Sequence, residues 1–169
     1  MDRLYYSPGA ASMLVHWLLI ELDLAYALEL VDTAAKQQKS PEYLALNPNG
    51  VVPTLVMDDG PHYEAAALAM VLAERHPASG LAPMPEDPGR AAYVQWMFNL
   101  ANMVQPLFRQ WWYPQEPAGE ANAEAVRAHC VPRIEAEWQR IDTHLAAQGR
   151  YLLGDRLSVA DFYLTMLMR

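Results

Sequence analysis

The sequence is poor in cysteine and in basic residues. Cys130 is its one cysteine, so an internal disulfide is excluded, and neither a C-x-x-C motif nor a metal-like Cys/His spacing is present. The formal net charge is −8, and the 12 Lys and Arg residues are spread along the chain. A binding surface for nucleic acid or anionic lipid needs clustered basic residues. We therefore expect no metal, no nucleic-acid partner and no membrane partner.

Long apolar runs are also missing. The run from Met13 to Ile20 is too short to span a bilayer, and His16 interrupts it. Small residues precede this run rather than follow it, which is the reverse of a signal peptide. Together with the single cysteine, this predicts a cytoplasmic protein in a reducing compartment.

The chain is rich in apolar residues, which make up 53% of its 169 residues and suffice for one compact unit or two small domains. Turn residues and apolar spacing in the first half predict the order strand, helix, strand, strand, strand, helix. A βαβ unit followed by a hairpin and a helix gives a mixed four-stranded sheet of the thioredoxin-like α/β type. The predicted elements lie at residues 3–6, 12–22, 26–31, 54–57, near 62 and at 64–76.

The second half is predicted to be all-helical. A proline-rich stretch separates it from the first half and can neither continue a helix nor sit inside a sheet. Beyond it, residues 91–108 and 120–147 show helical periodicity, and Ser158 with Asp161 forms a capping box that begins a last helix. We predict a thioredoxin-like domain at 1–77, a linker at 78–89 and an all-α domain at 90–169.

Four segments, in this order, carry a family resemblance: "YYSPGAAS", "NPNGVVPTLVMDDG", "YEAAALAMVLAERHP" and "GDRLSVADFYL". With them the whole chain resembles a cytosolic glutathione S-transferase of the bacterial beta and theta-like groups. The resemblance implies glutathione as co-substrate and a homodimer. The implied dimer contact buries apolar residues around Leu68, Met70 and Val71 and along the helix at 91–100.

The resemblance also implies a set of glutathione contacts. A cis Val52-Pro53 bond would turn the backbone of Val52 outward, where an extended tripeptide can pair with it as an added strand. Glu64 and Ala65 begin the third helix, where free N–H groups can bind the γ-glutamyl carboxylate. Family members usually carry Ser where this chain has Ala65, which predicts weaker binding. Lys36 resembles the lysine that reaches the glycyl carboxylate, although Lys39 is close in register and a solvated lysine fits as well.

The residue that activates the glutathione thiol is less clear, because Ala10 and Ala11 occupy the positions where relatives carry serine or cysteine. Ser12 ranks first as a hydroxyl donor at a helix N-terminus, where the helix dipole favours a thiolate. An equally simple interpretation makes Ser12 a helix cap. Tyr6 ranks second. With Cys130 in a helical stretch, a cysteine-based mechanism is disfavoured.

The predicted electrophile pocket lies between the domains and is apolar. We therefore predict a glutathione S-transferase that conjugates glutathione to small apolar electrophiles. The alternative is a non-catalytic glutathione-binding or stress-adaptor protein of the same fold, which the alanines at 10, 11 and 65 favour slightly. The predicted pocket residues are Asn99, Asn102, Phe108, Trp111 and Tyr113.

The C-terminal end is predicted to be truncated, because relatives continue beyond the "ADFYL" helix for about two helices of average length. On that interpretation a chain ending at Arg169 exposes the apolar residues Leu164, Met166 and Leu167.

Overall fold

The computed structural model describes residues 1–169 and divides into two compact units, Met1–Ala82 and Pro83–Arg169. The division falls inside the linker predicted at 78–89. None of the helices is both long and apolar enough to cross a membrane.

The first unit is a four-stranded mixed sheet with helices, as the sequence predicts. The strand order is β2-β1-β3-β4, with β1 parallel to β2 and antiparallel to β3. The helix α1 connects the two parallel strands, and the Asp59-Gly60 turn connects β3 to β4. The elements are β1 (Asp2–Tyr6), α1 (Ser12–Glu21), β2 (Tyr26–Leu30), α2 (Pro41–Leu44), β3 (Thr54–Met57), β4 (Gly60–Tyr63) and α3 (Ala65–Arg75).

The core of this unit lies where α1 and α3 pack together beside the central strands. Leu4 and Leu55, which face each other across β1 and β3, are fully buried. Leu14, Leu18 and Leu72 from the two helices are also buried, so the apolar spacing of each helix matches its packed face. This packing fixes both ends of the polar loops that surround the sheet.

The second unit is helical throughout. It contains α4 (Arg90–Asn99), a π-helical turn (Leu100–Val104), α5 (Gln105–Trp112), α6 (Gln115–Ala118), α7 (Ala123–Gln148) and α8 (Val159–Leu167). The sequence predicts one helix across 91–108, and the structure interrupts it with the π-helical turn. Pro106 is the second residue after this turn; because proline has no N–H group, it cannot continue the regular ladder of hydrogen bonds.

The last helix begins at the predicted capping box, in which the Asp161 carboxylate accepts hydrogen bonds from the Ser158 N–H at 2.9 Å and the Leu152 N–H at 2.8 Å. The predicted exposure of Leu164, Met166 and Leu167 is wrong, since their exposed fractions are 5%, 5% and 8%. The reason is that α8 packs against α4 and the π-helical turn of the same unit, and these elements cover its apolar face.

Candidate functional site

The turn that leads into α1 presents two free backbone donors. The Ala10 N–H donates to the Ser7 carbonyl at 3.2 Å, and Gly9 adopts a positive φ of 76°, which glycine tolerates without strain. The N–H groups of Ala11 and Ser12 have no hydrogen-bond partner within the chain. The turn itself consists of the small residues Gly9, Ala10 and Ala11, so this helix start can accept an anion.

Ser12 does not have the free hydroxyl that a thiol donor needs. Its Oγ donates to the Ser7 carbonyl at 3.2 Å and accepts from the Ser7 N–H at 3.3 Å, and the residue is 1% exposed. A hydroxyl has one proton, and here the Ser7 carbonyl takes it. The expectation of a side chain directed at a ligand therefore needs correction: the hydroxyl folds back and ties the turn to the helix start. The catalytic role of Ser12 stays a prediction that this geometry disfavours.

Tyr6, the second predicted donor, lies half-buried at the end of β1. Its ring lies 6.4 Å from the ring of His16 on α1, and the His16 Nε2 is 2.9 Å from the Tyr26 hydroxyl. The Tyr6 hydroxyl makes no hydrogen bond in the chain. It is therefore available as a donor, although no contact places it at the start of α1.

Val52 presents an unpaired backbone immediately before β3. The Val52-Pro53 peptide is cis, as the resemblance implies. Pairing with the neighbouring strands begins only at Thr54, so the N–H and C=O groups of Val52 have no partner in the chain. A half-exposed residue with both groups free can pair with an extended peptide ligand.

Three buried side chains surround the preceding carbonyl of Val51. The Tyr43 hydroxyl donates to this oxygen at 2.7 Å and the Asn47 Nδ2 at 2.8 Å. The Thr54 Oγ1 lies 2.9 Å from the Tyr43 hydroxyl. Burial raises the pKa of Tyr43 above its ordinary value, which keeps the phenol protonated as a donor. Sequence spacing does not reveal this cluster, because only folding brings α2, the loop and β3 together.

Glu64 holds a strained backbone at the start of α3. Its φ of 72° and ψ of 106° are unusual for a residue with a side chain, and its carboxylate is exposed and makes no capping bond. Such strain is concentrated at binding and catalytic sites. The N–H groups of Ala65, Ala66 and Ala67 have no acceptor in the chain, so this helix start offers donors for a carboxylate.

The two lysines occupy different environments. Lys36 is exposed, has a left-handed backbone with φ 58°, and its ammonium group contacts no other side chain. Lys39 donates from Nζ to the Asn49 carbonyl at 3.2 Å, in the loop that leads to Val52. Lys36 is therefore free to bind a ligand, whereas Lys39 stabilises the loop.

The residues predicted for the electrophile pocket all belong to the second unit. The Asn99 Oδ1 accepts a hydrogen bond from the Arg140 guanidinium at 2.8 Å. Asn102 is exposed. The aromatic members pack within their own unit: Phe108 lies 5.6 Å from the Trp138 ring, Trp111 lies 5.0 Å from Trp112, and Tyr113 lies under Arg109 at 5.4 Å.

One groove lies on the first unit and includes Ala67 from the start of α3. Its volume is about 380 Å³, and it follows β4 and α3. Leu68 and Val71, predicted to lie in a dimer contact, line it together with Tyr63 and Arg75.

No group of three or more His, Cys, Asp or Glu side chains is placed to hold a metal ion.

Comparison with known proteins identifies the family. The model for the glutathione S-transferase N-terminal domain matches residues 4–80, and that for the C-terminal domain matches residues 101–169. The chain belongs to the glutathione S-transferase family. Glutathione S-transferase GST-4.5 of Xanthomonas campestris is 34% identical to it over 172 residues, covering 99% of this chain and 81% of that protein.

Two further relatives extend the comparison. Glutathione S-transferase GstA of Escherichia coli O157:H7 is 30% identical, again covering 99% of this chain and 81% of that protein. A crystal structure of a glutathione transferase homologue from Sulfitobacter contains bound glutathione. It is 30% identical, with a TM-score of 0.89, and the match covers 99% of this chain and 81% of that one. These matches confirm the resemblance, the thioredoxin-like fold and the family of glutathione-transferase enzymes predicted from the sequence.

Proposed function

We propose that this glutathione S-transferase binds glutathione on its first unit and conjugates its sulfur to small apolar electrophiles. The observation that carries the proposal is the free backbone of Val52, which offers a donor and an acceptor beside a sheet of the same unit. The cysteinyl part of glutathione is an extended peptide and can pair there as an added strand. The Sulfitobacter homologue, which contains glutathione, supports this choice of ligand.

The start of α3 and the side chain of Lys36 bind the charged ends of the ligand. The free N–H groups of Ala65, Ala66 and Ala67 bind the γ-glutamyl carboxylate, and the exposed Glu64 carboxylate binds its ammonium group. Lys36, whose ammonium group has no partner, binds the glycyl carboxylate.

The thiolate is stabilised by backbone rather than by a hydroxyl in this proposal. The N–H groups of Ala11 and Ser12 are free, and they lie at the positive end of the α1 dipole. An ordinary thiol has a pKa of about 8.5 and is mostly protonated at neutral pH. Donors that bind only the anion lower that pKa, and the thiolate then attacks the electrophile carbon and displaces its leaving group.

The second unit provides the apolar surface for the electrophile through Phe108, Trp111 and Tyr113, with Asn99 and Asn102 as polar partners. We also propose a cytoplasmic homodimer in which the groove along β4 and α3, with Leu68 and Val71, is covered by the second copy. Met70 and the helix at 91–100 belong to the same proposed contact. Sedimentation as a monomer at micromolar concentrations would contradict the dimer.

Two assays on the purified chain test the function. We expect retention on immobilised glutathione and conjugation of 1-chloro-2,4-dinitrobenzene, measured by the absorbance of the product. Retention without conjugation supports the non-catalytic glutathione-binding protein instead. Absence of both contradicts the proposed function.

A further inference from the structure

The orientation of the Val52 backbone depends on the carbonyl group of the residue before it. The Val51 oxygen accepts from the Tyr43 hydroxyl at 2.7 Å and from the Asn47 amide at 2.8 Å, which occupies both of its lone pairs. The Val51 carbonyl and the Val52 N–H belong to one planar trans peptide unit, in which they point in opposite directions. Fixing the Val51 oxygen in the interior therefore directs the Val52 N–H outward.

The anchor is well buried and continues into the sheet. Tyr43 is 4% exposed, and Asn47 and Thr54 are both 0% exposed. A phenol has one proton, and Tyr43 gives it to Val51, so the Thr54 hydroxyl must donate to the Tyr43 oxygen. Thr54 begins β3 and pairs with Tyr5 and Tyr63 on either side. The Tyr43 hydroxyl thus lies between the first residue of β3 and the Val51 carbonyl, and only its bond to Val51 and that of Asn47 reach the peptide.

We propose that Tyr43 and Asn47 are positioning residues for glutathione, which hold the Val51–Val52 peptide in the orientation that binds the cysteinyl backbone of the ligand. This inference rests on the proposed function, because an outward N–H at Val52 is useful only to a ligand that pairs there. Neither side chain touches the ligand or the sulfur. Their effect should therefore fall on affinity and leave the chemistry unchanged.

The variant Tyr43→Phe tests this with the least disturbance, since it removes one oxygen atom and keeps the ring that packs 5.9 Å from Tyr5. Thr54→Val is the matched control, because it removes a buried hydroxyl from the same cluster and leaves both bonds to the Val51 oxygen. Calorimetric titration gives the Kd of glutathione and of S-methylglutathione for each protein. The second ligand has no ionisable thiol, so its Kd contains no contribution from binding of the thiolate.

For Tyr43→Phe we expect both Kd values to rise by about three- to tenfold, the net contribution of one hydrogen bond. The KM for glutathione should rise with them. The kcat and its dependence on pH should stay at the wild-type values, because the donors to the sulfur lie at the start of α1. The Kd values of Thr54→Val should stay within twofold of the wild-type values. Asn47→Asp keeps the acceptor for the Asn49 N–H at 3.0 Å, and its Kd values should rise as they do in Tyr43→Phe.

Three results would overturn the inference: unchanged Kd values in both Tyr43→Phe and Asn47→Asp, an equal loss in Thr54→Val, or a fall in kcat with unchanged Kd. Thermal melting shows whether each variant is folded. If either Tyr43→Phe or Asn47→Asp is misfolded, the other variant serves as the test. Wild-type protein that binds neither ligand contradicts the proposed function and this inference with it. If the wild-type protein binds both ligands and the Kd values of Tyr43→Phe and Asn47→Asp equal those of wild type, this inference alone is contradicted.

Discussion

The hydroxyl of Ser12 both donates to the carbonyl of Ser7 and accepts from its N–H, at 3.2 and 3.3 Å. This pair of hydrogen bonds closes the turn that precedes α1. It leaves the N–H groups of Ala11 and Ser12 as the free donors at that helix start. An anion at this helix start would therefore be bound by backbone donors, and the Ser12 side chain supports that backbone.

Ser12→Ala should lower stability without changing the ionisation of the bound thiol. Loss of two buried hydrogen bonds at the turn should reduce the free energy of unfolding by about 1–3 kcal/mol. The pH profile of kcat/KM for conjugation should keep the wild-type inflection, because the free N–H groups remain. An inflection that moves to higher pH would restore Ser12 as the thiol donor.

Glu64→Gly should raise stability and weaken glutathione binding at once. Glycine adopts the positive φ of 72° without strain, and strain of this kind costs about 1–3 kcal/mol. The higher entropy of glycine in the unfolded chain offsets part of this gain in the free energy of unfolding. The melting temperature should rise, while the KM for glutathione increases because the carboxylate is gone. Glu64→Ala is the control: it should raise KM equally without the gain in stability. A lower melting temperature for Glu64→Gly would show that the backbone of Glu64 is not strained.

Ala65→Ser should tighten glutathione binding, because it adds a hydroxyl at the first position of α3. A hydrogen bond to a charged group contributes roughly 1.5–3 kcal/mol, so the Kd should fall by about tenfold or more. Ala65 is 5% exposed, and the new hydroxyl should lower the melting temperature of the free protein until ligand is added. The exposed Ala78, which lies beyond the opposite end of α3, provides the control variant Ala78→Ser, which should leave Kd unchanged. Equal affinity in both variants would argue against a carboxylate at this helix start.

Much of the fold is predictable from the sequence, because apolar spacing and turn residues act locally. The Asp59-Gly60 turn specifies a hairpin, and the Ser158 and Asp161 pair specifies a helix start. Contacts that depend on a hydroxyl direction are not predictable in this way. The Ser12 Oγ could point to a ligand or to Ser7, and only the turn geometry decides between them.

The cluster around Val51 shows a second limit. Tyr43 and Thr54 are 11 residues apart, and neither spacing nor composition indicates that their hydroxyls meet. The burial of Leu164 and Met166 shows a third limit of prediction from the sequence. An apolar helix near the end of the chain can pack within its own unit, and the sequence alone does not show this. Free N–H groups at the helix starts can be expected from the sequence, because they follow from any helix beginning.

Lys36→Ala should weaken glutathione binding through the glycyl carboxylate alone. The KM for glutathione should rise, while the KM for the glycyl monoethyl ester of glutathione should stay unchanged, because esterification removes the charge that Lys36 binds. Lys39→Ala should instead lower the melting temperature, since the Lys39 ammonium group holds the Asn49 carbonyl. An equal rise in KM for glutathione and for its ester in Lys36→Ala would contradict the assignment.

The most direct measurement for the account as a whole is the pKa of the glutathione thiol when bound to the wild-type protein. Ultraviolet difference titration of the protein with and without glutathione follows thiolate formation against pH. We predict an apparent pKa at least one unit below the free-thiol value of about 8.5, which corresponds to about 1.4 kcal/mol of preferential binding of the anion. Bound glutathione that titrates at the free-thiol value would contradict it.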